Sequence, residues 1–190
     1  MRTSFRLAAV TLVIAVGLSL GGCAPDAPAP KPTASPSATP LFATDEEALA
    51  AAEEAYAAYL RAVDAMLQSG GIDVSKLPGV ATSDALEQAS ADADEFRKLG
   101  YRTTGFTLLR SITLQQQGSG ASDDNEKVVV AYICEDASGI DLLDSHGLSV
   151  VAADRENLTP FEVSFGRPDD AARLLVASRT LWSGAGPCSG

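Results

Sequence analysis

The stretch Phe96–Leu109, FRKLGYRTTGFTLL, is where this chain changes its period. Up to Leu99, apolar residues recur at helical spacing: Leu86, Ala89, Ala93, Phe96 and Leu99 share one face. Beyond Tyr101 the spacing falls towards two, with Phe106, Leu108, Ile112 and Leu114 set against Thr107, Ser111 and Thr113. Gly100 stands at the junction, where glycine accepts the left-handed conformation that ends a helix. A helix therefore hands over to a strand here, and the chain on either side obeys the matching rule.

Upstream, Thr44-Asp45-Glu46-Glu47 has the form of a capping box, with Thr44 as N-cap and Glu47 three residues on. Leu49, Ala52, Tyr56, Tyr59, Leu60, Val63, Met66 and Leu67 follow at helical spacing until Gly70-Gly71. A connection with a short turn at Val74–Leu77 leads to a second helix capped by Ser83, whose acids Asp92, Asp94 and Glu95 form a solvated face. Downstream, KVVVAYIC (Lys127–Cys134) reads as a buried strand, joined to the preceding one through the polar loop Gln117–Glu126. Asp144-Ser145-His146-Gly147 reads as a turn, Phe161, Val163 and Phe165 alternate with Glu162 and Ser164, and Leu174–Trp182 makes a last strand. Helices first and antiparallel strands after predict an α+β domain, its N-terminal helices packed on one sheet.

The N-terminal region belongs to a different regime. Arg2 and Arg6 precede a predominantly apolar run, Leu7–Leu20, and small residues then lead to Cys23. As a helix that run spans only about 21 Å against roughly 30 Å of hydrocarbon, so it reads as a cleaved signal peptide rather than a membrane span. Leu20-Gly21-Gly22-Cys23 resembles the lipobox of bacterial lipoproteins. That resemblance implies diacylglycerol on the Cys23 thiol, fatty acylation (palmitate among the acyl groups), cleavage before Cys23, and a lipid-anchored protein on the extracytoplasmic face of the cell membrane. Residues 1–22 are thus the signal peptide, and 23–42 a lipidated tether holding six of the ten prolines, an extended spacer. Residues 43–190 form the domain.

With Cys23 consumed, Cys134 and Cys188 remain, and in an oxidising compartment they are expected to pair. The bridge would close a loop of about 55 residues, for roughly 4 kcal/mol in the chain-entropy model. Two buried thiols or a crosslink between molecules are the alternatives. The formal charge of −11 becomes about −13 once Arg2 and Arg6 leave with the signal. That surface argues against nucleic acid as a partner and keeps the domain off anionic headgroups.

Four segments together resemble exported actinobacterial lipoproteins of the NTF2-like (SnoaL-like, cystatin-like) superfamily. They are Thr44–Leu67, Phe96–Leu109, VVVAYICEDASGIDLLDSHG (Val128–Gly147) and RTLWSGAGPC (Arg179–Cys188). The resemblance implies a cone, a curved antiparallel sheet wrapped on helices with a pocket at its open end, and no particular activity. In enzymes of that superfamily, such as ketosteroid isomerases, a carboxylate base works beside a tyrosine in an apolar pocket. Tyr56, Tyr59, Asp64, Tyr101 and Tyr132 offer the residue types, and Tyr56 and Asp64, eight apart, return to about one helical face. Core tyrosines with Asp64 in solvent are the favoured alternative. Trp182 either lines the pocket or closes the core near the disulfide.

The candidate pocket is therefore Tyr56, Tyr59, Asp64, Tyr132 and Trp182, with no catalytic residue assigned. His146, the lone histidine, belongs to its turn, and no His/Asp partner set accompanies a serine. Asp123–Glu126 lacks EF-hand spacing, so neither metal nor cofactor is expected. The function these readings support is a non-catalytic NTF2-like module that binds a small apolar ligand or an envelope protein. An accessory protein working through its sheet face, and an isomerase or lyase using Asp64 with a tyrosine, are the alternatives.

Overall fold

A computed structural model describes residues 41–118, 129–168, 171, 173–184 and 186–189. Cys23, the signal peptide, the tether to residue 40 and the acidic loop Asp123–Glu126 lie outside the described residues. The domain is α+β: two helices lie against one face of a four-stranded antiparallel sheet, with a second, two-stranded sheet beside them.

Helix α1 (Asp45–Gln68) starts after the N-cap that the sequence predicts, Thr44, with the return bond of the box displaced by one residue to Ala43. The Glu47 N–H donates to Thr44 Oγ1 at 3.2 Å, and the Glu47 carboxylate accepts the Ala43 N–H at 3.0 Å. Asp45, Glu46 and Glu47 place negative charge where the helix dipole favours it. Its buried face carries Ala48, Ala52, Tyr56, Tyr59 and Met66. A 3-10 turn at Leu77–Gly79 falls slightly later than the turn expected at Val74–Leu77.

Helix α2 (Ser83–Leu99) departs from its sequence reading at both ends. Thr82 occupies the N-cap position without a side-chain bond, and Ser83, expected to cap, is the first helical residue. The helix turns a stripe of small residues, Ala85, Ala89 and Ala93, into the core, so it sits close and leaves Leu99 45 % exposed instead of buried. Gly100 ends it at φ 68°, and the N–H groups of Gly100 and Tyr101 both reach the Phe96 carbonyl.

Strands β1 (Arg102–Thr104) and β4 (Asp141–Leu143) pair in the small sheet, and Asp144–Gly147 turns the chain after β4. The Asp144 carboxylate accepts the N–H groups of His146 and Leu148, so the turn's polar residues serve its backbone while the His146 side chain points outward. Strands β2 (Leu108–Gln117), β3 (Val129–Asp136), β5 (Leu158–Gly166) and β6 (Leu175–Leu181) pair in that order. The β3–β5 register sets Val129 against Phe165, Ala131 against Val163 and Ile133 against Phe161, all six facing the helices.

Strand β2 carries an irregularity between Leu109 and Ser111 that resets the alternation. Leu109, Ile112 and Leu114 pack on the core, while Leu108, 58 % exposed, and Phe106, 65 % exposed, face outward against expectation. After β6 the chain returns over the opposite face of the sheet. The Trp182 N–H donates to the Pro160 carbonyl at 3.0 Å, Ser111 Oγ to the Pro187 carbonyl at 2.7 Å, and Cys188 bonds Cys134.

The link between β1 and β2 depends on Gly105, at φ 81°, where an added Cβ would lie 1.9 Å from the Gly139 carbonyl oxygen. Gly105→Ala combines left-handed strain with a backbone clash and is expected to destabilise the domain by about 2 kcal/mol or more. A lowered urea midpoint at unchanged slope checks this.

Candidate functional site

On β3 the inward positions run Val129, Ala131, Ile133, Glu135, so strand geometry carries a carboxylate into the apolar layer beneath α1. On β6 Val176, opposite Phe165, faces the core, and a register shift between Val176 and Ser178 then turns Arg179 inward, level with Val163. Tyr56, at 0 % exposure on α1, completes the group. Glu135 Oε1 accepts the Tyr56 hydroxyl and, at 3.0 Å, Arg179 Nε; Glu135 Oε2 accepts Arg179 Nη2 at 2.8 Å. Arg179 Nε also lies 3.2 Å from the Tyr56 hydroxyl oxygen, and its guanidinium covers the Phe161 ring 3.5 Å from the centroid. Tyr59 stacks on Tyr56, with ring centroids 5.7 Å apart, and Phe165 meets the Tyr56 ring edge-on.

The electrostatics follow from burial. Desolvation, and then the Glu135 charge, push the Tyr56 phenol well above its ordinary value, with Arg179 opposing. Tyr59 rises through desolvation as well. Desolvation works against the charge of Arg179, but Tyr56 and Glu135 outweigh it and hold the guanidinium above its usual range. Asp92 on α2 is raised by desolvation, and Arg179 counteracts it. The fork-on-carboxylate geometry is the strong form of this pair, and it occupies both Glu135 oxygens. A carboxylate so engaged is poorly placed to take a proton from a substrate. As built, the group locks α1, β3 and β6 together.

The five residues of the expected pocket are divided. Tyr56 and Tyr59 lie together between helix and sheet. Asp64 is about 12 Å further along the α1 axis and is only 4 % exposed, so it is not solvated. It accepts the Thr107 N–H at 3.0 Å and the Thr107 hydroxyl at 2.9 Å, pinning the β1–β2 link to α1. Desolvation raises its carboxyl, and the two Thr107 bonds pull the other way. Neither the catalytic nor the solvent-facing reading of Asp64 matches this geometry. Tyr132 and Trp182 pack together on the opposite face of the sheet, with ring centroids 4.4 Å apart, beside the disulfide. Tyr101 meets Phe96 edge-on at the end of α2. Tyr56, Tyr59 and Asp64 do not wall the clefts that border Phe42 and Arg173, Gln68 and Tyr101, or Arg61 and Lys76.

Glu135 and Arg179 are the residues that sequence reasoning missed. For Glu135 the available signal was parity, a charge at an inward position of a strand otherwise apolar on that side. For Arg179 the irregularity after Val176 resets the alternation, and parity read from Val176 places it outward. Among the described residues, no group of three or more His, Cys, Asp or Glu side chains is placed to hold a metal ion. Within the same residues, no helix is long and apolar enough to cross a membrane.

No family model matches the chain, and no curated protein does. Among solved structures, the chain is similar to the intermembrane space region of the chloroplast protein ARC6. The match has 15 % identity and a TM-score of 0.46, over 70 % of this chain and 95 % of that one. A de novo designed β-sheet protein, solved by NMR, matches at 14 % identity and a TM-score of 0.32, over 76 % of this chain and 95 % of that one.

Removing one partner of the buried pair leaves the other charged and alone. Arg179→Ala is therefore expected to cost about 3–5 kcal/mol, and Tyr56→Phe, which removes one bond to a carboxylate, about 1.5–3 kcal/mol. Chemical denaturation of both variants tests the order. The raised phenols also set an alkaline limit. Their contribution is complete below pH 10.0, the ordinary value, and is lost as pH climbs through the higher folded values. Absorbance at 295 nm should show these phenols ionising together with unfolding, and Tyr56→Phe should remove part of that step.

Proposed function

We propose that this chain is an exported bacterial lipoprotein, anchored through Cys23, whose NTF2-like domain is a non-catalytic binding module held off the cell membrane by its proline-rich tether. The observation that carries the reading is the Cys134–Cys188 bond, with S–S 2.03 Å and Cα atoms 5.1 Å apart. A bond within one chain persists in an oxidising compartment and is uncommon in the cytosol. It also consumes two of the three cysteines, so the thiol left over is the one in the lipobox-like Leu20–Cys23.

Binding is favoured over turnover because the buried Glu135–Tyr56 carboxylate–phenol pair is neutralised by Arg179 and fully engaged. Recognition at the surface is favoured over an enclosed apolar ligand because Tyr56, Met66, Ile133 and Phe165, all at 0 % exposure, fill the space between α1 and the sheet. On the outward side of the sheet one cross-strand row runs Thr113, Tyr132, Glu162, Thr180; with Tyr132 packed on Trp182, the polar remainder suits a solvated face better than a large apolar contact.

Metabolic labelling with a fatty acid in the native host tests the anchor. The parent protein should incorporate label and stay with the membrane, whereas Cys23→Ser should lose both label and retention. A Cys23→Ser protein that remains unlabelled yet membrane-bound would refute the anchor. Intact mass under non-reducing conditions should show no alkylatable thiol, and Cys188→Ser should lower stability by roughly 4 kcal/mol.

A further inference from the structure

The chain carries 25 acidic side chains against 14 Lys and Arg, so a place where cations gather without acids is out of keeping with its surface. One such place is a cleft of about 490 Å³ beside α1. Arg61 enters from α1, Lys76 from the residue before the 3-10 turn, and Arg173 from the segment leading into β6; no acidic side chain lines it. Its floor is small and apolar, with Ala58, Ala62 and Val80.

Arg173 Nη2 donates to the Gly79 carbonyl at 2.9 Å, which ties that guanidinium to the rim. Arg61 and Lys76 make no ion pair with a described residue at bonding distance. Near Lys76, the Asp73 carboxylate is taken up by the Ser75 hydroxyl and N–H, with Lys76 adding a smaller stabilisation of its charge. Glu54 lies with Arg173 on the adjoining cleft, outside this lining. Three like charges brought to one cleft by three separate segments repel one another, and an anion in their midst reverses the sign of that energy.

We infer that this cleft binds a phosphate ester. Cations approaching from three directions suit a tetrahedral, multiply charged group better than a planar carboxylate. The volume exceeds what a bare phosphate needs, and the alanine floor offers the organic substituent an apolar seat. A soluble phosphate ester and the headgroup of an anionic phospholipid share this chemistry, and the two sources are separable by experiment.

The test uses the full chain in neutral detergent micelles, titrated calorimetrically with glycerol 3-phosphate in one arm and with phosphatidylglycerol-doped micelles in the other. Saturable binding in the first arm identifies a soluble ester, and saturation in the second alone identifies a lipid headgroup. In either case Arg61→Gln/Lys76→Gln should weaken binding roughly tenfold or more, while Lys98→Gln/Arg110→Gln, an equal loss of two charges outside the cleft, leaves it unchanged. Near-UV circular dichroism matching the parent keeps a folding defect in the double variant from mimicking the effect. Absence of saturable binding in both arms overturns the inference. So does binding that survives Arg61→Gln/Lys76→Gln, or binding that falls as much with Lys98→Gln/Arg110→Gln.

Discussion

Glu135 sits in a row with Val129, Ala131 and Ile133, on the side of the sheet that α1 covers, and its charge must be compensated there. Removing a carboxylate from water costs several kcal/mol, more than one neutral hydrogen bond returns. The compensation comes from Arg179, two strands away, through a paired fork of hydrogen bonds, with Tyr56 of α1 closing the remaining side. All three groups must be in place together, so the sheet register and the seating of α1 are constrained by one electrostatic requirement. An apolar trio of similar volume could match its stability. What the polar trio adds is intolerance of a shifted strand, since a slip of one residue would turn Glu135 or Arg179 to the other face.

The opposite face of the sheet is organised by covalent chemistry. Cys134 points away from the helices, and the bond to Cys188 draws the C-terminal segment across β2, β3 and β5, where the Ser111 hydroxyl and the Pro160 carbonyl hold it with hydrogen bonds to its backbone. A domain of this size buries its main core on one side of the sheet, and a crosslinked tail is an economical cover for the other. Tyr132 and Trp182 pack under that cover instead of lining a cavity. The same economy appears at the β1–β2 link, where Asp64 and Gln68 of α1 bond Thr107 and the Gly105 carbonyl. Apart from both faces, clefts open at the edges of α1 and α2.

Much of the architecture was written locally. The capping box at Thr44, the helix stop at Gly100, the change of period across Phe96–Leu109, the apolar run of β3 and the turn at Asp144 depend on neighbours within about four positions in sequence, and the sequence carries those neighbours in plain order. The cysteine pair was legible as well, because three cysteines with one set aside leave a single internal pairing. Leu108 misled because a bulge at Arg110 changes strand parity, and a bulge has no reliable mark in composition. Leu99 misled because α2 packs through a stripe of alanines whose small size draws the helix inward along a different line.

By itself, then, the amino-acid order determined the class of fold, the limits of most elements and the identity of the crosslinked cysteines. Tertiary structure alone decided which charges meet. Tyr56 was visible as a buried phenol, but its partners come from positions 79 and 123 residues away, and Asp64 found Thr107 across 43. Helical spacing suggested Tyr56 with Asp64 because it ranks neighbours along one element. A buried charge is instead matched by whatever the sheet carries beneath it, and that depends on strand order and register, which no local pattern encodes.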